Sequence, residues 1–242
     1  MFSASYKQVC FIAFLFVSFG INAANKIEIP EKVLYEINSY KLKKPIYRTK
    51  AESRALLESV IEKIYPKAKE LCLSQGLDIT KCEWDLEVVS GNQFNAYASG
   101  KNKISFYTGL VRGIHYEEEL AFVVAHEIGH HIGDHLNKSK TRSIIGALFG
   151  AAIAYEAGIP SSDPAIIGAN IGAMSYSKQQ ELEADAISLK ILKDSGYDLN
   201  KARMGIVRLT RTGPSRVNSV FLDSHPSGPE RVMWFDELSR YE

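Results

Sequence analysis

His126-Glu127-Ile128-Gly129-His130 sets two imidazoles four residues apart with a carboxylate beside the first. On an α-helix, residues i and i+4 share a face one turn apart, so both rings can reach one zinc ion at the usual distance of about 2.0–2.1 Å. Glu127 sits next to them around the helix, where it can take a proton from a water at the metal without displacing that water. The chemistry implied is hydrolysis assisted by one zinc ion per chain. A catalytic zinc needs a third protein ligand and an open fourth position. Glu181-Leu182-Glu183-Ala184-Asp185 offers two carboxylates four apart on a later helix. Of Glu181 and Asp185, one can ligate the metal while the other accepts the Nδ1 hydrogen of a ligating histidine and so fixes its tautomer. Glu183 points elsewhere on the wheel and is expected at the surface.

Five of the six histidines crowd between His115 and His135. His131 and His135 are also four apart, but Gly133 and Asp134 between them supply no base, and a continuing helix turns their face away from His126 and His130. They are expected to be structural or solvent-facing at the helix end, where an imidazolium suits the negative pole of the dipole. His115 reads as a loop residue.

The helix that positions the motif is predicted to open at Glu117, with an acidic first turn suited to the dipole, and to run on through Leu120, Phe122, Val123 and Val124. Upstream, Thr49-Lys50-Ala51-Glu52 has the form of a capping box, followed at helical spacing by Leu56, Leu57, Val60, Ile61, Ile64, Ala68 and Leu71. That helix is predicted to reach about Gln75, with Pro66 kinking it and Gly76 stopping it. Trp84–Ser90, Phe94–Ala98 and Lys103–Tyr107 read as strands, the last two joined by a turn at Gly100, Lys101 and Asn102. Further helices are predicted over Gln179–Lys193, Leu199–Thr210 and Pro229–Tyr241. Ile144–Ile159 and Ala165–Met174 each hold a GxxxG pair, which lets helix backbones approach closely. Two readings stand for them: small-residue helices buried in the domain, or an apolar lid or partner-facing surface.

The chain has 242 residues, 45% of them hydrophobic, enough for one sizeable core. Its 29 basic and 28 acidic side chains leave a formal charge of +1, which argues against nucleic acid as a partner. Lys7, the apolar stretch Val9–Ile21 and Asn22-Ala23-Ala24 have the layout of a secretory signal peptide over residues 1–24. Residues 25–48 then form an N-terminal arm, and 49–242 a single domain. Cys10 leaves with the signal, so Cys72 and Cys82 remain. In an exported protein such a pair reads as a disulfide closing a short loop, the alternative being two buried thiols.

HEIGHH, preceded by NAYASGKNKISFYTGLV and followed by ELEAD and a late SHPSGPERV, resembles the gluzincin metallopeptidase family of the prenyl-protein CAAX proteases and HtpX-type proteases. The similarity runs from about Asn95 to Val232 and is nearest to the soluble exported branch that includes the beta-barrel assembly-enhancing protease, here with no sign of a tetratricopeptide array. It implies an α+β, mainly helical zincin-like domain with a small antiparallel sheet whose edge strand, holding Asn95-Ala96-Tyr97, borders the cleft. It further implies His126, His130 and Glu181 as zinc ligands, Glu127 as general base and Asp185 behind a ligand. Substrates would be polypeptides bound in extended form by β-augmentation, with peripheral membrane or outer-membrane protein assembly as a further association. The expected activity is a zinc metalloendopeptidase of the periplasm or another secretory compartment, acting on unfolded or misassembled envelope proteins. The alternative is a chaperone or assembly factor with a mostly closed zinc site. His225, in the segment similar to the family's late His-Pro motif, has three roles open to it: fourth ligand, oxyanion stabiliser or structural loop residue. Arg231, in the same segment, is expected to pair with a carboxylate near the site. No residue assigns an oligomeric state.

Overall fold

The computed structural model describes residues 28–41, 43–99, 102–135, 176–212, 225 and 228–240. The signal segment, the GxxxG segments, and Gly100 and Lys101 of the turn lie outside them. Helix α1 spans Glu31–Ser39, α2 Lys50–Ser74, α3 Thr108–Gly113, α4 Glu117–Ile132, α5 Lys178–Asp194, α6 Leu199–Thr212 and α7 Pro229–Leu238. Strands β1 (Asp85–Val89), β2 (Ala96–Ser99) and β3 (Lys103–Tyr107) form one sheet. The fold is mainly helical α+β, as expected.

The start of α2 follows from its first four residues. Thr49 accepts a hydrogen bond from the Glu52 amide, and the Glu52 carboxylate accepts one from the Thr49 amide, so two amides that a helix start leaves unpaired are satisfied together. Leu57, Val60, Ile64, Ala68 and Cys72 then recur at helical spacing and are all buried. Cys72 is joined to Cys82 by a disulfide across ten residues of sequence. The chain passes from there through a short 3-10 turn, Ile79–Lys81, into β1.

The sheet is mixed, where an antiparallel one was expected. Its order is β1-β3-β2: β2 and β3 are antiparallel, with Ala96 opposite Phe106, whereas β1 and β3 run parallel, with Val88 opposite Phe106. The hairpin puts β2 beside β3, and β3, with Ile104, Ser105 and Phe106 all buried, takes a second partner on its other side. Asn102 turns the chain into β3 at φ 56°, a left-handed conformation that asparagine tolerates better than most residues. Its amide donates to the carbonyls of Thr80 and Glu83 at 2.7 and 3.0 Å, which ties the hairpin to the disulfide loop.

α4 lies at the centre, packed on α2, α5, α6 and β2. From Glu119 to His130 every residue is buried, so the helix is apolar on nearly all sides, as an interior helix must be. The arm is not a loose strand. Val33 and Ile37 of α1 enter the core, and Arg203 of α6 holds Glu36 at 2.6 and 2.7 Å while also pairing with Asp236 of α7.

α4 and α5 meet closely at Gly129. A Cβ there would lie 2.9 Å from the Ala184 carbonyl oxygen, nearer than such atoms approach, and a backbone atom cannot yield as a flexible side chain does. Gly129→Ala should gain about 1 kcal/mol in helix propensity and lose about 1–3 kcal/mol to overpacking. A net loss is therefore expected, read as a lower urea midpoint. A raised midpoint would mean that the two helices separate freely.

Candidate metal centre

Two helices and one segment near the C-terminus build the site. α4 carries His126, Glu127 and His130 along its interior face, all at 0% exposure. α5 starts on a second capping box, with Ser177 accepting from the Gln180 amide and Gln180 accepting from the Ser177 amide. Contact of Gly129 with Ala184 sets α5 in register so that Glu181 and Asp185, both buried, face the two histidines. His225 arrives from the C-terminal side and is buried as well.

His126, His130, Glu181 and His225 each present one donor atom, and these atoms lie within 4.8 Å of one another. The Nε2 atoms of His126 and His130 are 3.0 Å apart, and Glu181 oxygens lie 3.4 and 3.3 Å from them. Nδ1 of His225 is 3.2 Å from Glu181 Oε1 and 3.4 Å from His126 Nε2. A tetrahedral zinc with bonds of about 2.0–2.1 Å separates its ligands by roughly 3.3 Å, so the set has the right size and donor types for that ion. Glu127 is fully buried; among the described residues neither of its oxygens accepts a hydrogen bond, and its near neighbour is His225 Nε2 at 3.3 Å from Oε1, so the carboxylate has capacity left for a water.

Asp185 takes the position behind His126: its Oδ1 lies 2.9 Å from His126 Nδ1. Arg231 of α7 then grips Asp185 with two hydrogen bonds of 2.7 Å. Its third nitrogen lies 2.7 Å from Glu181 Oε2, an ion pair out of hydrogen-bond alignment. Burial alone would raise both carboxyls, but the guanidinium and neighbouring imidazoles hold Asp185 below its ordinary value and Glu181 well below. Burial also pushes imidazoles down. In His126 the Glu181 charge and the Asp185 hydrogen bond outweigh it and lift the ring to about 9, whereas in His130 burial wins and the ring is held well below the usual range. With the imidazoles neutral, as metal ligation requires, buried Glu127, Glu181 and Asp185 against Arg231 leave a formal charge of −2, the complement of one divalent cation.

The structure brings together every residue the sequence proposed for the site: His126, Glu127, His130, Glu181, Asp185 and His225. Arg231 pairs with both carboxylates. His135 is the correction. It is fully buried and its Nδ1 lies 2.9 Å from Nδ1 of His130, while its Nε2 lies 3.1 Å from Glu183 Oε2. The helix ends at Ile132 and Asp134 takes φ 54°, so His135 is off the wheel that turned it outward, and Glu183 is half-exposed but engaged. His131 stays outside the donor set, and burial lowers its ring to about 4. Tyr176 escaped the sequence reading altogether: its ring stacks on His130 at 3.7 Å and 17°. Burial, with the Glu127 and Glu181 charges, raises its hydroxyl and keeps it protonated. Its place just before the Ser177 cap was the signal available. β2 packs on α4 and is an edge of the sheet among the described residues.

A sequence profile of peptidase family M48 matches residues 58–239. The chain is 29% identical over 148 residues to the mitochondrial metalloendopeptidase OMA1 of Arabidopsis thaliana, covering 61% of this chain and 30% of that protein. It is 31% identical over 99 residues to the Protease HtpX homolog of Bacteroides fragilis, covering 40% of this chain and 30% of the relative. The chain thus matches under a third of the length of either relative.

Arg231→Met should strand two buried carboxylates and cost about 3–5 kcal/mol in urea unfolding of the metal-free protein. Saturating zinc should recover part of that loss, because a cation bound only by the folded state stabilises it. Wild-type stability in Arg231→Met would show that the cluster does not depend on this charge.

Proposed function

The chain belongs to peptidase family M48, and we propose that it is a zinc metalloendopeptidase of the periplasm that hydrolyses unfolded or misassembled envelope proteins. The observation that carries the reading is the convergence of His126, His130 and Glu181 with the buried carboxylate of Glu127, which accepts no hydrogen bond among the described residues, beside them. Zinc held by those three residues would supply Lewis acidity, polarising a scissile carbonyl and lowering the pKa of a water. Glu127 takes the proton of the attacking water and returns it to the leaving amide nitrogen. Asp185, held by Arg231, keeps His126 in the tautomer that turns Nε2 to the site. The β2 edge offers main-chain hydrogen bonds to an extended polypeptide, which gives affinity with little side-chain selectivity. Export is supported by the signal-like residues 1–24 and by the Cys72–Cys82 disulfide, which an oxidising compartment maintains.

A second reading has one observation in its favour. His225 offers Nδ1 to the donor set and its Nε2 lies 3.3 Å from Glu127 Oε1, so it engages the fourth position and the base together. A protein resting in that state would act mainly as an assembly factor or chaperone. Under this reading His225→Ala raises the rate of casein digestion; a fall instead assigns His225 to the reaction as an oxyanion stabiliser.

Glu127→Gln should keep zinc and lower casein digestion by at least about 100-fold; digestion at the wild-type rate sinks the mechanism. Glu181→Ala should lower bound zinc in elemental analysis, and undiminished stoichiometry removes Glu181 from the ligands.

A further inference from the structure

We propose that His135 and Glu183 are positioning residues for His130, a relay that fixes its tautomer and the angle at which its ring meets the metal; the inference rests on the zinc-binding reading above. Nε2 of His130 faces His126 and Glu181 at 3.0 and 3.3 Å. A metal held among these atoms takes the Nε2 lone pair, so the ring proton sits on Nδ1. Nδ1 is 2.9 Å from Nδ1 of His135, hence His130 donates and His135 accepts. The proton of His135 is then on Nε2, which donates to Glu183 Oε2 at 3.1 Å. Every nitrogen has one role in this order. Reversing it would place a hydrogen on the nitrogen that faces the ligands.

The chain builds this contact with some care for space. α4 stops at Ile132, and the left-handed Asp134 folds the next residue back toward the helix. The His135 ring lies across Gly133, where a Cβ would collide with it. Gln180, the capping residue of α5, donates to the His135 carbonyl at 3.4 Å, which fixes the backbone as well. Tyr176 covers the face of the His130 ring. His130 is thus held both in its plane and from above, and the relay ends on a carboxylate whose side chain is 39% exposed. His126 is supported differently, by a fully buried carboxylate that a guanidinium grips. The two ligand histidines therefore depend on separate residues, and each can be weakened alone.

Zinc dissociation constants, measured by competition with a chromophoric chelator, decide the matter for the full chain, with melting of each metal-free protein as the folding control. His135→Leu and Glu183→Ala should each weaken zinc by about 10–100-fold, the range for groups behind a metal ligand. His135→Asn, whose Oδ1 can accept from His130, should lose less than His135→Leu, an order that a merely structural role would not produce. Gly133→Ala keeps both residues but displaces the ring, and should weaken zinc in the same sense. Wild-type affinity in His135→Leu and Glu183→Ala overturns the relay and leaves zinc binding standing. A wild-type chain that binds no zinc overturns the zinc reading, and the relay with it. Should His135→Leu fail to fold, Glu183→Ala decides alone, because its side chain is half in solvent.

Discussion

Charge has to balance where water is excluded. Glu127, Glu181 and Asp185 lie inside a helical core at 0–1% exposure, and ionised carboxylates there are stable only beside cations. Arg231 is a permanent cation that the chain provides among the described residues, and it reaches two of the three. Much else follows from this demand. α7 must approach α5 closely enough for a guanidinium to lie flat against Asp185, α5 must approach α4 closely enough for Gly129 to have no side chain, and the remaining charge of −2 defines the kind of ligand the cluster accepts.

Much of this was legible from residue order. HExxH and ExxxD each place groups on one helical face, and the capping box of Thr49 with Glu52 marks the start of α2, whereas the box of Ser177 with Gln180 that starts α5 was not read. Within a helix, spacing is geometry, so those positions could be read directly. His135 could not be read that way, because its position depends on where the helix stops and on the left-handed turn at Asp134. Four residues of spacing mean a shared face only while the helix lasts. The parallel pairing of β1 with β3 escaped for a related reason: it is settled by which neighbour a buried central strand finds across the sheet, and no local pattern encodes that. Tyr176 lies one residue ahead of the Ser177 cap, but nothing in the order of residues tells that its ring will cover His130.

The two supports behind His126 and His130 differ in kind. Behind His126 stands a carboxylate fixed by a guanidinium, a strong and rigid arrangement. Behind His130 stands a second imidazole, His135, whose partner Glu183 is partly exposed. A site built this way has one histidine held by the core and another held near the surface, and the second is the one that surroundings can touch. His225 adds a third element, approaching both the donor set and Glu127 from the C-terminal side.

α7 carries two anchors within its ten residues. Arg231 sits in its first turn and fastens it to the metal centre, while Asp236 lies near its end and fastens it, through Arg203, to Glu36 of the arm. The helix therefore behaves as a short beam pinned at both ends, one pin in the site and the other in a segment more than eighty residues upstream of the HExxH helix. How much of the chain the site needs is set in part by that beam. A boundary drawn at the start of α2 would look natural on a map of the domain, yet it would strip Glu36 from Arg203 and leave the Arg203–Asp236 pair to hold the far end with half of its charge partners.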